Sequence, residues 1–164
     1  MNQKHPSQED LMEQVQKILE ERGRKALEMA KQTILQEEIE CKEVREALEY
    51  FMTEYWHDVA RPALLSLACE SVGGDPEITT PIAVPMILIS GAIDIHDDII
   101  DRADRRRGVD SVHARWGPNI SVLLGDFLYI KTIGLALGSA YPQIVRILTD
   151  VSARMIEGEL DEFR

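Results

Sequence analysis

A stripe of four aspartates is the feature of this sequence best suited to chemistry. Residues 94–101 read DIHDDIID, and the four acids are Asp94, Asp97, Asp98 and Asp101. At about 100° per residue, these spacings place all four within about 100° of one helix face. Like charges so close repel one another, so the stripe needs a counter-charge. Oxygen ligands favour a hard cation, and the spacing therefore indicates a Mg²⁺ site.

Two simpler interpretations of the stripe stay open. A solvated acidic face is the usual role of a charge run on a helix, but the neighbours here are Ile95, Ile99 and Ile100. The arginines at 105–107 could also simply form ion pairs with the aspartates. The alternative is an anionic ligand that a metal bridges to the aspartates and that arginine side chains bind directly, and a diphosphate fits both requirements.

The elements that position these residues are predicted to be helices throughout. Apolar residues recur at three- and four-residue spacing, and no stretch of strand length alternates between apolar and polar residues. Helices are expected over 8–31, 33–51, 62–72, 80–101, 118–138 and from 142 onward, with an irregular polar segment over 102–117. The fold class is therefore all-α, and residues 1–164 are expected to form a single all-helical domain.

Composition excludes several classes of function. The 164 residues carry a net charge of −11, which argues against nucleic acid as a partner because phosphate contacts need a basic face. The longest apolar run, 82–93, is too short for a transmembrane segment. Residues 1–6 do not resemble a secretory signal, and Cys41 and Cys69 fit reduced thiols. We therefore expect a soluble, cytoplasmic protein.

Several motifs together resemble those of the trans-prenyltransferases, the all-helical polyprenyl diphosphate synthases. DDIID at 97–101 is followed by RRRG and GVDSVHARWG, then by LLGDFL at 123–128 and MIEGELDEF at 155–163. Arg61-Pro62 lies where that family has the end of its GGKRxRP motif. The resemblance covers residues 45–164 and implies a helical bundle of the isoprenoid synthase type, truncated to roughly its first six helices.

The resemblance also implies a mechanism and a set of site residues. Asp97 and Asp101, supported by Asp98, would hold Mg²⁺ against the diphosphate of an allylic substrate, and Arg106 would bind that diphosphate. After ionisation, isopentenyl diphosphate would attack the allyl cation and extend the chain. A dry apolar tunnel would shield the cation, and the small Ala92, five residues before Asp97, favours a long product.

The isopentenyl diphosphate site departs from the family pattern. Asp58 stands where the family has a diphosphate-binding lysine, and Ser90 replaces the usual histidine or glutamine. Of the expected contacts, only Arg61 and Arg107 remain. The allylic site is thus expected to be intact and the second-substrate site impaired.

The length is the second departure, because family members are about twice this size and carry another aspartate-rich motif in the other half. The resemblance therefore implies either a second subunit that supplies the missing C-terminal half and that motif, or a sequence that is a fragment. Two alternatives to a catalytic subunit stay open. They are a non-catalytic regulatory subunit that sets product length or stability of a full-length partner synthase, and a helix-bundle interaction module with no ligand.

Overall fold

The computed structural model describes residues 7–106 and 108–162, and these form helices joined by short connections. The elements are α1 (Gln8–Leu35), α2 (Lys42–Tyr50), a π-helix (Phe51–Tyr55), α3 (Ala60–Ser71), a 3₁₀ turn (Pro76–Thr79), α4 (Thr80–Ile100), strands β1 (Arg105–Arg106) and β2 (Val109–Asp110), α5 (Val112–Gly138) and α6 (Ile144–Glu162). The predicted all-α fold is confirmed. The two strands pair antiparallel as a hairpin of two residues each.

Several predicted helix boundaries were wrong. The helix predicted over 33–51 does not exist as such, because α1 continues to Leu35 and a break at 36–41 precedes α2. The apolar residues on either side of the break keep helical spacing, which conceals it in the sequence. The helix predicted from residue 118 begins at Val112, where the Ser111 side chain accepts a hydrogen bond from the backbone of residue 114. The predicted start instead coincides with a kink, because Gly117 has φ +81°.

Helix α4 lies at the centre of the fold and packs along α5. Its mostly apolar sequence is explained by this position, since it also contacts α1 and α3. Several of the largest fully buried side chains of the described residues belong to α4 itself or to the core around it: Ile87, Leu88 and Ile95 on α4, and Ile34, Phe51, Met52, Leu124 and Leu128 on other elements. The carboxylate stripe occupies the last two turns of this buried helix. Its aspartates are therefore held on a rigid element.

Close backbone approach explains one glycine of α5. A Cβ atom at Gly125 would lie 2.2 Å from Nε2 of His96, so a larger residue there would displace the His96 ring from this position. The His96 ring nitrogen Nε2 then lies 3.2 Å from the carbonyl oxygen of Val122. This contact ties the aspartate-bearing end of α4 to α5.

Two helical stretches, 76–100 and 112–138, are long and apolar enough by composition to cross a membrane. The most apolar window of the first is 61% buried inside the fold and that of the second is 33% buried. The sequence-based argument against a membrane segment considered only the uninterrupted run 82–93, which is shorter than either helix. It therefore stays a prediction.

Candidate active site

Two of the four aspartates of the stripe, Asp94 and Asp98, are not part of a solvated acidic face. The Asp98 side chain is 1% exposed and that of Asp94 is 17% exposed. Burial raises the pKa of both carboxyl groups, and the nearby Arg106 guanidinium opposes this rise. Two of the four acids therefore point into the protein and depend on a neighbouring cation.

Arg106 supplies that cation from the hairpin. Its Nη1 lies 3.3 Å from Oδ2 of Asp94, and its Nη2 lies 3.2 Å from Oδ1 of Asp98. Desolvation tends to lower the pKa of Arg106, but Asp98 and Asp94 outweigh it and the net direction is upward. One guanidinium thus bridges two carboxylates that lie one helical turn apart.

The hairpin presents Arg106 at the end of α4. Arg105 forms an ion pair of 3.1 Å with Asp110 across the two strands, and Gly108 in the turn has φ +88°. The Tyr50 hydroxyl donates a hydrogen bond of 2.6 Å to the backbone carbonyl of Asp110. These contacts join the hairpin to the helical body. The alternative that the arginines pair with the aspartates of the stripe thus holds for Arg106, whereas Arg105 pairs with Asp110 instead.

Tyr55 is a member of the site that the sequence did not reveal. It is 4% exposed, and its hydroxyl donates a hydrogen bond to Oδ2 of Asp98. Burial and this hydrogen bond raise the pKa of the Tyr55 phenol well above its usual range, so the phenol stays protonated. The only sequence signal was a hydroxyl-bearing residue among apolar ones at helical spacing.

Asp97 and Asp101 differ from the buried pair. Among residues 7–106 and 108–162, no lysine or arginine lies within ion-pair distance of either carboxylate. Desolvation raises the pKa of Asp97 to about 6, and the charges of Glu159, Asp94 and Asp101 add to the rise. These two acids form the uncompensated, outward-facing part of the stripe.

The donor set of this outer pair fits a hard cation shared with a ligand. Within the described residues, no three His, Cys, Asp or Glu side chains converge closely enough to enclose a metal ion. Mg²⁺ does not need such a cage, because it binds through one or two carboxylates and completes its octahedron with waters and substrate phosphate oxygens. The pKa of Asp97 is raised first by desolvation and then by repulsion from Glu159, Asp94 and Asp101, and a divalent ion would relieve that repulsion.

A cavity of about 400 Å³ opens beside Asp97 between α4, α5 and α6. Its lining is mostly apolar and includes Ala92 and Ile156, while Asp97, Asp126 and Glu159 contribute carboxylates. Ala92 itself is 1% exposed, so a larger side chain there would have to enter the space between the helices. The structure thus places the predicted chain-length residue and Asp97 at one cavity.

Arg61 is held by the residue that departs from the family pattern. Its Nη1 lies 2.6 Å from Oδ2 of Asp58, and the Arg61 guanidinium lies 6.0 Å from the centre of the Trp56 ring. The other Asp58 oxygen accepts hydrogen bonds from the backbone N–H groups of Ala60 and Arg61. Asp58 therefore caps α3 and neutralises the arginine at the same time. The predicted residue Arg107 lies outside the described residues.

The sequence-predicted residues are thus brought together in two groups. Asp98 and Arg106 meet in a buried ion-pair cluster, whereas Asp97, Asp101 and Ala92 lie at or near the apolar cavity. Arg61 is close enough that its charge lowers the pKa of Asp94, although the net direction for that carboxyl group is upward. Glu159 was predicted only as part of a motif, and the structure shows that it faces the same cavity.

Comparison with known proteins finds similar sequences and structures, and the similar sequences reported below are both named as prenyl diphosphate synthases. Over 88 residues the chain is 43% identical to a geranylgeranyl diphosphate synthase of Methanosarcina mazei, and the match covers 54% of this chain and 27% of the relative. It is 34% identical over 103 residues to a short chain isoprenyl diphosphate synthase of Methanothermobacter thermautotrophicus, and this match covers 60% of this chain and 32% of the relative. The chain therefore matches about a third of the length of these curated relatives.

Solved structures match over more of the chain. A polyprenyl synthetase from Streptomyces coelicolor A3(2) superimposes with a TM-score of 0.77 at 25% identity and covers 91% of this chain and 47% of its own. A geranylgeranyl pyrophosphate synthetase from Geoglobus acetivorans gives a TM-score of 0.74 at 26% identity, covering 89% and 47%. The sequence pattern of the family described as polyprenyl synthetase matches residues 41–164. This chain, which spans about half the length of those structures, belongs to the polyprenyl synthetase family.

Proposed function

We propose that this chain is a subunit of a heteromeric trans-polyprenyl diphosphate synthase and that it binds the allylic diphosphate. Family membership supports prenyl transfer as the reaction class. One observation carries the assignment of the allylic site to this chain. Two carboxylates without a cationic partner in the described residues, Asp97 and Asp101, lie at the end of α4 where an apolar cavity opens beside Asp97.

The residues divide the work of the reaction between them. Asp97 and Asp101 would hold Mg²⁺, which supplies the positive charge that lets diphosphate leave. Arg106 contributes a guanidinium directed by Asp94 and Asp98, and its N–H groups are suited to phosphate oxygens. The apolar lining of the cavity excludes water from a cationic intermediate and accommodates the growing prenyl tail.

The small side chain of Ala92 supports the proposal that the cavity accepts a long prenyl tail, because it leaves space between the helices. Together with Tyr129 and Ile156 it borders a volume of about 400 Å³ that reaches from Asp97 along α4. Relatives named for products as different as geranylgeranyl and nonaprenyl diphosphate match this chain. The proposal therefore rests on the cavity and does not name one product.

The exposed apolar surface of α5 and α6 supports the proposal that a second polypeptide packs against these helices. Ile130 and Leu137 on α5, and Ile147 and Val151 on α6, are large apolar side chains that are 49–68% exposed. The two residues on α5 are seven positions apart and those on α6 are four apart, so each pair lies on one face of its helix, and exposed apolar surface of this kind is typical of protein interfaces. We propose that the partner subunit covers these two helices and contributes the second aspartate-rich motif together with isopentenyl diphosphate contacts.

Isothermal titration with Mg²⁺ and an allylic diphosphate analogue tests the binding assignment. We expect binding that needs both components, and Asp97→Asn should weaken it at least tenfold because a metal ligand is lost. Asp150→Asn is the matched control, since Asp150 lies on α6 and forms an exposed ion pair with Arg146. Equal affinity in the Asp97 and Asp150 variants would show that the outer aspartates do not bind the substrate.

The Asp58–Arg61 pair favours a second candidate function. Because Asp58 neutralises Arg61 and caps α3, Arg61 is not a free cation for the second substrate, and it is the only one of the two expected contacts that lies among the described residues. That observation suits a regulatory subunit that sets product length or stability of a full-length partner. Asp97→Ala in the assembled complex separates the candidates. A catalytic subunit loses Mg²⁺-dependent turnover, whereas a regulatory subunit keeps the rate and changes product length or stability.

A further inference from the structure

We propose that Tyr55 is a positioning residue of the diphosphate site and that it acts through Asp98 on Arg106. This inference rests on the proposed function, because it concerns the orientation of the guanidinium that receives the diphosphate. The three side chains form a continuous series from the π-helix, through α4, to the hairpin. No other residue of α2 or the π-helix is shown in contact with Asp98.

The two oxygens of Asp98 have different partners. Oδ2 accepts the Tyr55 hydroxyl, whereas Oδ1 faces Nη2 of Arg106 at 3.2 Å. Oδ1 is fully buried and has no hydrogen bond of good geometry among the described residues. Among the described residues, its ion-pair partner is therefore the Arg106 guanidinium. A buried carboxylate with this asymmetry needs one oxygen fixed if the other is to point in a defined direction.

Tyr55 is itself held rigidly enough to fix that oxygen. Its ring stacks on Phe51 with centroids 5.5 Å apart and an interplanar angle of 29°. It is the last residue of the π-helix, and single π-helical turns are frequent at functional sites. Five residues earlier, Tyr50 binds the backbone of β2. One short segment thus fixes both strands of the hairpin, through β2 directly and through Asp98 to β1.

The consequence for binding follows from this geometry. Without the Tyr55 hydroxyl, the Asp98 carboxylate can rotate and turn both oxygens toward Arg106. The guanidinium is then drawn further into the Asp94–Asp98 pair and away from an incoming phosphate. We therefore expect Tyr55→Phe to weaken diphosphate binding only as long as Arg106 is present.

A double-mutant cycle measured by titration of Mg²⁺ and inorganic pyrophosphate tests this. Tyr55→Phe should weaken pyrophosphate affinity roughly three- to tenfold, and Arg106→Gln should weaken it more. The double variant should bind like Arg106→Gln alone. Tyr141→Phe is the matched control, because it removes a phenol hydroxyl at a pocket lined by Leu65 and Ile144, away from the aspartates. Thermal unfolding of every variant shows that binding is compared between folded proteins.

A second variant covers the case in which Tyr55→Phe does not fold. Asp98→Asn keeps an oxygen acceptor for Tyr55 but removes the charge that draws Arg106 inward. Pyrophosphate affinity should therefore rise as long as Arg106 is present, and a fall in affinity would overturn the inference. A Tyr55→Phe effect that persists in full with Arg106→Gln would show a general structural role and overturn the inference. Unchanged pyrophosphate affinity in Tyr55→Phe would also overturn it. If the unaltered chain binds no pyrophosphate, the proposed function fails, and this inference fails with it.

Discussion

Neutralising Asp97 should stabilise the chain when no metal is added. The carboxyl group titrates near 6 in the folded protein against an ordinary value of 3.8, because it is desolvated and surrounded by Glu159, Asp94 and Asp101. As pH rises, the unfolded chain releases this proton first. Stability should therefore fall between about pH 4 and pH 6 and then level off. Asp97→Asn removes the contribution of Asp97 to that dependence, while Asp94 and Asp98, whose pKa values are also raised, keep theirs.

The size of the effect can be bounded from the same interval. The difference between 3.8 and about 6 corresponds to at most about 3 kcal/mol of unfolding free energy. Asp97 is only half-buried, so solvent screening reduces the expected gain to about 1 kcal/mol at pH 7. At pH 4 the variant and the parent should be nearly equal in stability, since the parent carboxyl is then largely protonated in the folded state.

Urea unfolding at pH 4 and pH 7, with and without Mg²⁺, measures these quantities. A metal that binds the outer carboxylates should stabilise the parent at pH 7 and leave the Asp97→Asn variant unchanged. The difference in unfolding free energy between the two proteins should therefore shrink or change sign when Mg²⁺ is added. Asp150→Asn, on the exposed face of α6, should show no dependence on either condition. The reasoning is refuted if the Asp97 variant is no more stable at pH 7, or if its advantage is the same at both pH values.

Three further outcomes follow from the packing. Gly125→Ala should destabilise by about 1–3 kcal/mol because its Cβ meets His96, whereas Gly134→Ala has nothing within 4 Å and should stabilise by about 1 kcal/mol in the same urea assay. Asp58→Ala should cost about 1 kcal/mol through loss of the α3 cap and should raise pyrophosphate affinity by freeing an arginine, measured by denaturation and titration. Ala92→Phe should fill the cavity and weaken an analogue with a long prenyl tail while leaving pyrophosphate binding unchanged, measured by titration.

The sequence was sufficient for the fold class and for the location of the stripe. Helical periodicity and the apolar sequence before Asp94 correctly predicted a buried helix with acids at its end. Periodicity failed at 36–41, because the acidic residues there give no stop signal and Ile39 continues the apolar pattern. It failed again at Gly117, where a proline follows and a kink joins two helical segments that the sequence separates.

Side-chain partners could not be read from the sequence, because a helical wheel gives angles and not neighbours. Tyr55 and Asp98 are 43 positions apart and meet only after α4 has packed against the π-helix. The pairing of Asp58 with Arg61 is local in sequence and was visible as a charge change. Its second role, as the cap of α3, needed the backbone geometry around Ala60.

The stripe resolves into two pairs with opposite electrostatic roles. Asp94 and Asp98 are four residues apart, as are Asp97 and Asp101, and on an ideal helix the two pairs differ by about 60° in direction. That rotation is enough to turn the first pair toward Arg106 and to leave the second without a cation among the described residues. The interpretation as ion pairs with arginine is therefore correct for Asp94 and Asp98. The need for a further cation applies to Asp97 and Asp101. Asp94 and Asp98 fix the Arg106 guanidinium beside the second pair. The carboxylates without an ion-pair partner are those of the second pair, and one of them, Asp97, lines the apolar cavity. A substitution in the first pair should thus alter how a diphosphate is oriented, and one in the second should alter whether a metal is held at all.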